Sequence, residues 1–467
     1  MSSSSREPAP QVSSLERSAL FVATLTSFLG PFMISSVNVA LPAIQADLGM
    51  NAVQLSWIAT AYLLAVAVVL LPVGKIADMR GRKKVFTSGL ATYTLASTLA
   101  AFAGNVTWLL VFRAMQGLGA GMFITTGMAI LTSIFPPHRR GRAIGIYVAA
   151  VYVGLSVGPF VGGILTQQFG WRSIFLIMLP LGAVSITVTL TFLKGEWADP
   201  REQRLDVLGS VIYAAAILAL IYGASILPSL PGGILVLTGV GALAFFFHQQ
   251  RQSAHPVFDV SLFRENRVFA FSSLAALLNY SATFAVTFLL SLYLQYLKGM
   301  PPQTAGTILM AQPVVMALFS PIAGRLSDRV EPRLLASAGM AITVAGMLVF
   351  TQLHAATPTP AIAATLLLLG FGFALFSSPN MSAIMGSVAK EQYGIASGVV
   401  ATMRLMGQMV SMAIATVVLA LMVGRETLTP DNYPHFLLSI RTVFALSAVL
   451  CGAGVYFSMF RGRLRRS

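Results

Sequence analysis

The stretch Gly74-Lys75-Ile76-Ala77-Asp78-Met79-Arg80-Gly81-Arg82-Lys83-Lys84 joins two long apolar runs, residues 53–73 and 84–103. Each run is about 20 residues, the length that crosses a bilayer as a helix. Between them a short glycine-bounded turn gathers one carboxylate and several cations. Gly324-Arg325-Leu326-Ser327-Asp328-Arg329 repeats the design after a later apolar run. Both stretches place a Gly, then an Asp, and a basic cluster at a helix end. A unit that recurs in this way implies a chain of two related halves.

Outward from these turns, apolar runs recur from near Ser18 to near Phe460. The chain has 467 residues, 56% hydrophobic and only 10% charged, too little charge to solvate a soluble protein of this size. The expected spans are 18–42, 53–73, 84–103, 107–134, 143–167, 172–193 and 206–226. They continue with 232–248, 268–297, 304–323, 334–352, 361–387, 395–423 and 437–460, fourteen in all. The Pro/Gly-rich stretch Leu227–Gly233 reads as the turn between the seventh and eighth. This predicts an all-α membrane protein with a disordered cytoplasmic tail (1–17) and a six-helix half (18–193). Two linker helices with cytoplasmic loops (194–267), a second six-helix half (268–460) and a basic cytoplasmic tail (461–467) complete it.

The formal net charge of +15 raises nucleic acid as a partner, but its placement argues otherwise. Nearly all cations fall in short segments on one side of the threading, the bias that sets orientation and draws anionic lipid. Both termini are then cytoplasmic. The polar N-terminal residues lack the compact apolar region of a signal peptide. Cys451 is the one cysteine, so no internal disulfide can form. No metal-ligand cluster, phosphate-binding Gly loop or nucleophile–base pair is present, which argues against an enzyme or a bound cofactor.

The motifs resemble the major facilitator superfamily, specifically its fourteen-helix drug:proton antiporter branch, over nearly the whole chain. The Gly74–Lys84 stretch is similar to the family's loop between spans two and three, with Met79 where a basic residue is usual. The resemblance implies conformational gating by Gly74, Asp78, Gly81, Arg82 and Lys83, and by Asp328 and Arg329 in the repeat. In the family the acid bonds to a helix end of the other half and releases it as the state changes. Ordinary positive-inside loop charge is the plainer reading of the same residues. Gly154, Gly158, Pro159, Gly162 and Gly163 resemble the family's antiporter motif. Three of these glycines share one helix face where another helix can approach closely, and Pro159 removes a backbone hydrogen bond. Simple close packing would also account for them.

Arg113-Ala-Met-Gln116-Gly117-Leu-Gly119-Ala-Gly121 carries an arginine inside a span, which is expensive unless it faces a cavity or backbone carbonyls. Family members place this arginine near the substrate. Ser35–Pro42, containing Asn38, matches the stretch that ends the family's first span. Trp57, Tyr62, Leu294-Gln295, Arg404 and Arg441 match further positions. The branch usually has an Asp five residues before that Asn, where Met33 stands here. All 15 acidic residues and all five histidines lie in loops or at span ends. The interior holds Arg113, Arg404 and Arg441 and no carboxylate.

A proton carrier needs a group that titrates near neutral pH, and arginine stays charged. Buried arginines instead favour carboxylate or phosphate. The expected function is therefore a secondary transporter exporting an amphiphilic small molecule, anionic, zwitterionic or lipid-like. Arg113 and Arg404 would anchor it, with polar support from Asn38, Gln116, Tyr62, Asn279, Gln295 and Gln312. Each of these six also fits a plain helix–helix hydrogen bond. Membrane lipids and the small-molecule substrate are the expected partners. A proton-coupled pump for cationic drugs, with coupling at Asp47, Asp78 or the substrate, is the alternative. A non-transporting receptor on the same fold is a third reading, and preserved gating loops argue against it.

Overall fold

The computed structural model describes residues 14–197, 206–252, 261–389 and 392–462. Most of the expected N-terminal tail, His255 and the basic residues 463–467 lie outside these. Among the described residues the fold is entirely helical. We number the long helices α1 (Ser14–Leu48), α2 (Ala52–Arg80), α3 (Arg82–Ala101), α4 (Val106–Ile134), α5 (Pro137–Phe169), α6 (Arg172–Phe192) and α7 (Val207–Ser225). The series continues with α8 (Leu230–Gln252), α9 (Arg267–Leu297), α10 (Pro302–Ser327), α11 (Pro332–Phe350), α12 (Thr359–Gly386), α13 (Tyr393–Met422) and α14 (Tyr433–Phe460).

Thirteen helices among the described residues are long and apolar enough to cross a membrane. The expected span that falls short is α3, 20 residues rich in Thr and Ser. Its hydroxyls are satisfied within the helix: Thr87 donates to Lys83 O (2.8 Å), Ser97 to Tyr93 O (2.7 Å) and Thr98 to Thr94 O (2.9 Å). This back-bonding lets a polar sequence sit beside apolar neighbours without stranding a donor.

Helix ends follow local chemistry. Asn51 caps α2, accepting from Gln54 N (2.8 Å), while Gln54 Oε1 takes the Asn51 N–H (3.0 Å). Asn105, Asp206 and Asn266 cap α4, α7 and α9. The turn between α2 and α3 hangs on Gly81, whose φ of 106° suits glycine. One expectation is corrected here. Helix α8 begins at Leu230, inside the stretch expected to be a turn, because Pro231 in a first helical turn has no N–H to lose.

The first bundle joins α1 to α5, α2 and α3 to α4, and α6 to α3, while the second joins α10 and α11 to α12, and α9 and α14 to α13. The repeat is visible in the packing. Gly117 of α4 rests on Tyr62 O of α2, and Gly370 of α12 rests in the same way on Gln312 O of α10. Gly119 meets Gly89 O of α3, as Gly372 meets Gly339 O of α11. Helices α7 and α8 pair with each other, and α7 lies against α2 and α13.

Candidate functional site

The ends of the helices that carry the basic turns form one end of the molecule, and we call the opposite one the far end. At the far end the two bundles are tied together. Ser291 Oγ of α9 donates to Asn38 O of α1 (2.6 Å), and Gln295 Nε2 donates to Val39 O (2.9 Å). Tyr296 donates to Gln45 Oε1. Thr416 of α13 donates to Ser56 of α2 (2.7 Å), and Ala52 N donates to Glu426 O (3.0 Å). Glycines allow the closest approach: a Cβ at Gly163 would stand 2.6 Å from Pro302 O, and one at Gly306 would overlap Pro159 O.

Midway along the interface, α5, α9, α12 and α13 present a group of aromatic and polar side chains. Tyr152 and Ser377 share a hydrogen bond across the bundles (3.4 Å). Tyr280 interacts through its hydroxyl with Ser377 and with the Arg404 guanidinium, and its ring meets Phe373 edge-on at 5.4 Å. Tyr147 of the first bundle also feels the Arg404 charge. Tyr152, Tyr280, Ser377 and Arg404 are half-buried, as groups lining a cleft are. The Tyr152–Ser377 bond lies closer to the basic end than the far-end ties do. The cross-bundle ties named above cluster at the far end.

At the basic end, Asp78 pairs with Arg82 (2.7 Å), and Arg82 donates to Ser133 Oγ of α4 (2.6 Å). The segment after α6 closes over this turn. Glu196 accepts from Lys83 N (2.8 Å), Trp197 O accepts from Arg82 N (2.9 Å), and a Cβ at Gly81 would lie 2.5 Å from the Glu196 carboxylate. Gly74 sits against Thr125 of α4. Asp206 at the start of α7 accepts from Gly209 N (2.8 Å) and Gln250 (2.7 Å), with Lys75 nearby. Burial opposes its charge, but these hydrogen bonds and Lys75 outweigh that and hold its carboxyl below the usual range. Asp328 and Arg329 follow α10, equivalent in place to Asp78 and its neighbours.

The expected substrate residues divide into separate groups. Arg113 is 1% exposed inside the first bundle; its Nε donates to Ile58 O (3.0 Å) and its guanidinium bonds Gln116 Oε1. Gln116 in turn donates to Ser97 Oγ (2.7 Å), and Arg113 lies 4.7 Å above the Tyr62 ring. The structure brings these three expected residues together and gives Arg113 partners within its own bundle. Asn38 and Gln295 belong to the far-end closure. Asn279 faces Cys451 (3.9 Å), and Gln312 is buried in α10. Met33 is fully buried in α1. Arg441 donates to Thr351 O (2.6 Å), tying α14 to α11.

The expected small-residue face of α5 lies on α1. A Cβ at Gly158 would overlap Ser35 Oγ, one at Gly162 would lie 2.6 Å from Ser36 Cα, and Gly154 touches Phe28 O. Helix α5 continues through Pro159. Sequence reading missed Tyr147, Tyr152, Tyr280, Phe373 and Ser377. The available signal was that their helices, like Arg404's, meet between the two halves.

The family model described as Major Facilitator Superfamily matches residues 23–271 and 272–466. The chain is 31% identical over 388 residues to the riboflavin transporter RibZ of Clostridioides difficile, covering 82% of this chain and 84% of that one. It is 31% identical over 404 residues to the multidrug resistance protein Stp of Mycobacterium tuberculosis, covering 84% of this chain and 74% of that one. It is 30% identical over 405 residues to the tetracenomycin C resistance and export protein of Streptomyces glaucescens, covering 85% and 74%. A peptide transporter POT structure superposes with TM-score 0.71 at 15% identity over 96% of each chain. An inward-facing bacterial homologue of the lysosomal transporter Spinster gives 0.67 at 16% identity over 96% of this chain and 97% of that one. With its repeated basic turns, its close-packed α5 and these relatives, the chain belongs to the major facilitator superfamily and is a multi-pass membrane transporter related to the drug-efflux proteins.

Proposed function

We propose that this transporter exports amphiphilic small molecules with an aromatic body and an anionic or zwitterionic group, and that Arg404 anchors them. The observation that carries this reading is the position of Arg404: half-buried at the bundle interface, among Tyr147, Tyr280 and the Tyr152–Ser377 pair. Aromatic faces suit a flat apolar body and Arg404 suits its charged end. Arg113 supports transport by holding α2, α3 and α4 together, since its donors serve groups of its own bundle. The relatives' names record riboflavin, tetracenomycin C and multiple drugs as cargo, all compatible with such a cleft.

Export follows from the closure pattern. The basic end is cytoplasmic by charge bias, so the state with a tied far end loads from the cytoplasm or inner leaflet. Fourteen spans then place both termini in the cytoplasm of a bacterial inner membrane. The two bundles, 18–193 and 268–460, rock about the cleft, with 194–267 as the inserted pair. The test is efflux from cells or proteoliposomes for matched anionic, zwitterionic and cationic aromatic amphiphiles. Arg404→Ala removes export of the first two classes. Full export of every substrate found by the Arg404→Ala, Arg113→Ala double variant would sink the reading.

The second reading is proton-coupled efflux of cationic drugs, favoured by two ion-paired carboxylates, Asp47 with Arg172 (2.6 Å) and Asp78 with Arg82 (2.7 Å). Substrate-dependent proton movement in proteoliposomes that stops in Asp47→Asn or Asp78→Asn would select it.

A further inference from the structure

Where α14 ends at the basic end of the second bundle, Arg461 turns inward and is 1% exposed. One guanidinium nitrogen donates to Asn380 Oδ1 of α12 (2.7 Å) and to Ser272 Oγ of α9 (3.1 Å). Asn380 donates in turn to Ser272 O (3.0 Å). The second terminal nitrogen, Nη2, is buried with no partner, and so is Nε of Arg333 at the start of α11. The charges acting on Arg461 are Glu331, which favours its cation, and Arg333, which opposes it. Burial lowers its pKa to about 10, so it stays protonated at neutral pH.

Two guanidiniums set against one carboxylate leave this corner with excess positive charge. An unpartnered buried donor is costly, the more so when charged. Nothing in the transport cleft uses the group, since Arg461 lies past the end of the last span. A bound anion with several acceptor oxygens would satisfy both orphan guanidinium donors. Phosphate geometry matches arginine forks, and basic pockets between helices at this depth meet the headgroup layer.

We propose that Arg461 and Arg333 form a binding site for a phosphate-bearing anion, either the headgroup of an anionic lipid or free phosphate. The site joins α9, α11, α12 and α14, so its occupant ties the second bundle at its cytoplasmic end.

The experiment uses the full-length protein reconstituted in nanodiscs of equal phosphatidylglycerol and phosphatidylethanolamine, then released for native mass spectrometry. A parallel arm measures thermal unfolding in detergent with inorganic phosphate against chloride at equal ionic strength. Phosphatidylglycerol retained about tenfold over phosphatidylethanolamine assigns the site to lipid. A phosphate-specific rise in Tm without lipid preference assigns it to the free anion. In either case Arg333→Gln, which leaves the Arg461 bonds to Asn380 and Ser272 intact, lowers the signal about tenfold, and Arg461→Gln does the same if it folds. Neither lipid preference nor phosphate shift in the wild type overturns the proposal, as does a wild-type signal unchanged in Arg333→Gln.

Discussion

An arginine held inside a bilayer must find acceptors for its donors, and Arg113 and Arg404 do so differently. Arg113 uses Ile58 O and Gln116 and lies over Tyr62. Removing it strands the Gln116 amide oxygen among apolar neighbours and takes the extra bond from Ile58 O, a loss of about 1–3 kcal/mol. Arg113→Ala is therefore expected to lower the unfolding temperature clearly, and Arg113→Lys restores little because lysine lacks the fork. Arg404 is half-exposed beside tyrosines, so Arg404→Ala leaves the unfolding temperature nearly unchanged. It weakens binding of anionic cargo about 10- to 100-fold, the loss of one charge-assisted bond of about 1.5–3 kcal/mol. Isothermal binding and thermal unfolding on both variants separate the two roles; a large stability loss in Arg404→Ala with unchanged binding contradicts this assignment. The sequence shows both arginines as lone cations in apolar runs. Only the neighbours, many residues away along the chain, distinguish them.

Among the elements, α5 and the inserted α7–α8 pair make the clearest commitments. Helix α5 lies so close to α1 that Ser36 Oγ donates to Gly158 O (2.8 Å) and Ser27 Oγ to Tyr147 O (2.9 Å). Gly158→Val has no space beside Ser35, and overpacking of this kind costs about 1–3 kcal/mol. Its expected signature is reduced thermal stability together with reduced transport, because α5 also carries Tyr147 and Tyr152. The glycine spacing was legible beforehand, since a helical face follows from the 3.6-residue period. Asp206 serves as N-cap of α7 and as acceptor for Gln249 and Gln250 of α8. Asp206→Ala should cost about 1 kcal/mol more than Asp206→Asn, which keeps a capping oxygen. The folded carboxyl lies below its usual pKa of 3.8, so its stabilising share is complete above that value and fades as pH falls through the lower, folded one. Acid unfolding of wild type and Asp206→Asn should thus converge at low pH. A constant gap down to pH 2 would contradict the charge's role.

For the whole molecule, the controlling fact is where the bundles touch. The far end is tied by backbone and side-chain bonds from α1, α2 and α5 to α9, α10 and α13. Gln303 N donates to Gln167 Oε1 (3.2 Å) at its surface, which makes the pair suitable for a reversible lock. In a Cys451→Ser background, a Gln167→Cys, Gln303→Cys protein is expected to lose transport on oxidation and regain it with reductant. Substrate binding from the cytoplasmic side persists while it is locked. Transport that continues in the cross-linked protein would rule out opening at the far end. The sequence by itself determined the helical membrane architecture, the repeated basic turns and the α5 packing face. These follow from run length, period and composition, which are local. Only the tertiary structure decided that Arg113 is bound within its bundle, that Asn38 and Gln295 close the far end, and that tyrosines from α5 and α9 surround Arg404. Those outcomes depend on which helix faces meet and on which donors find acceptors, and the packing of distant segments sets both.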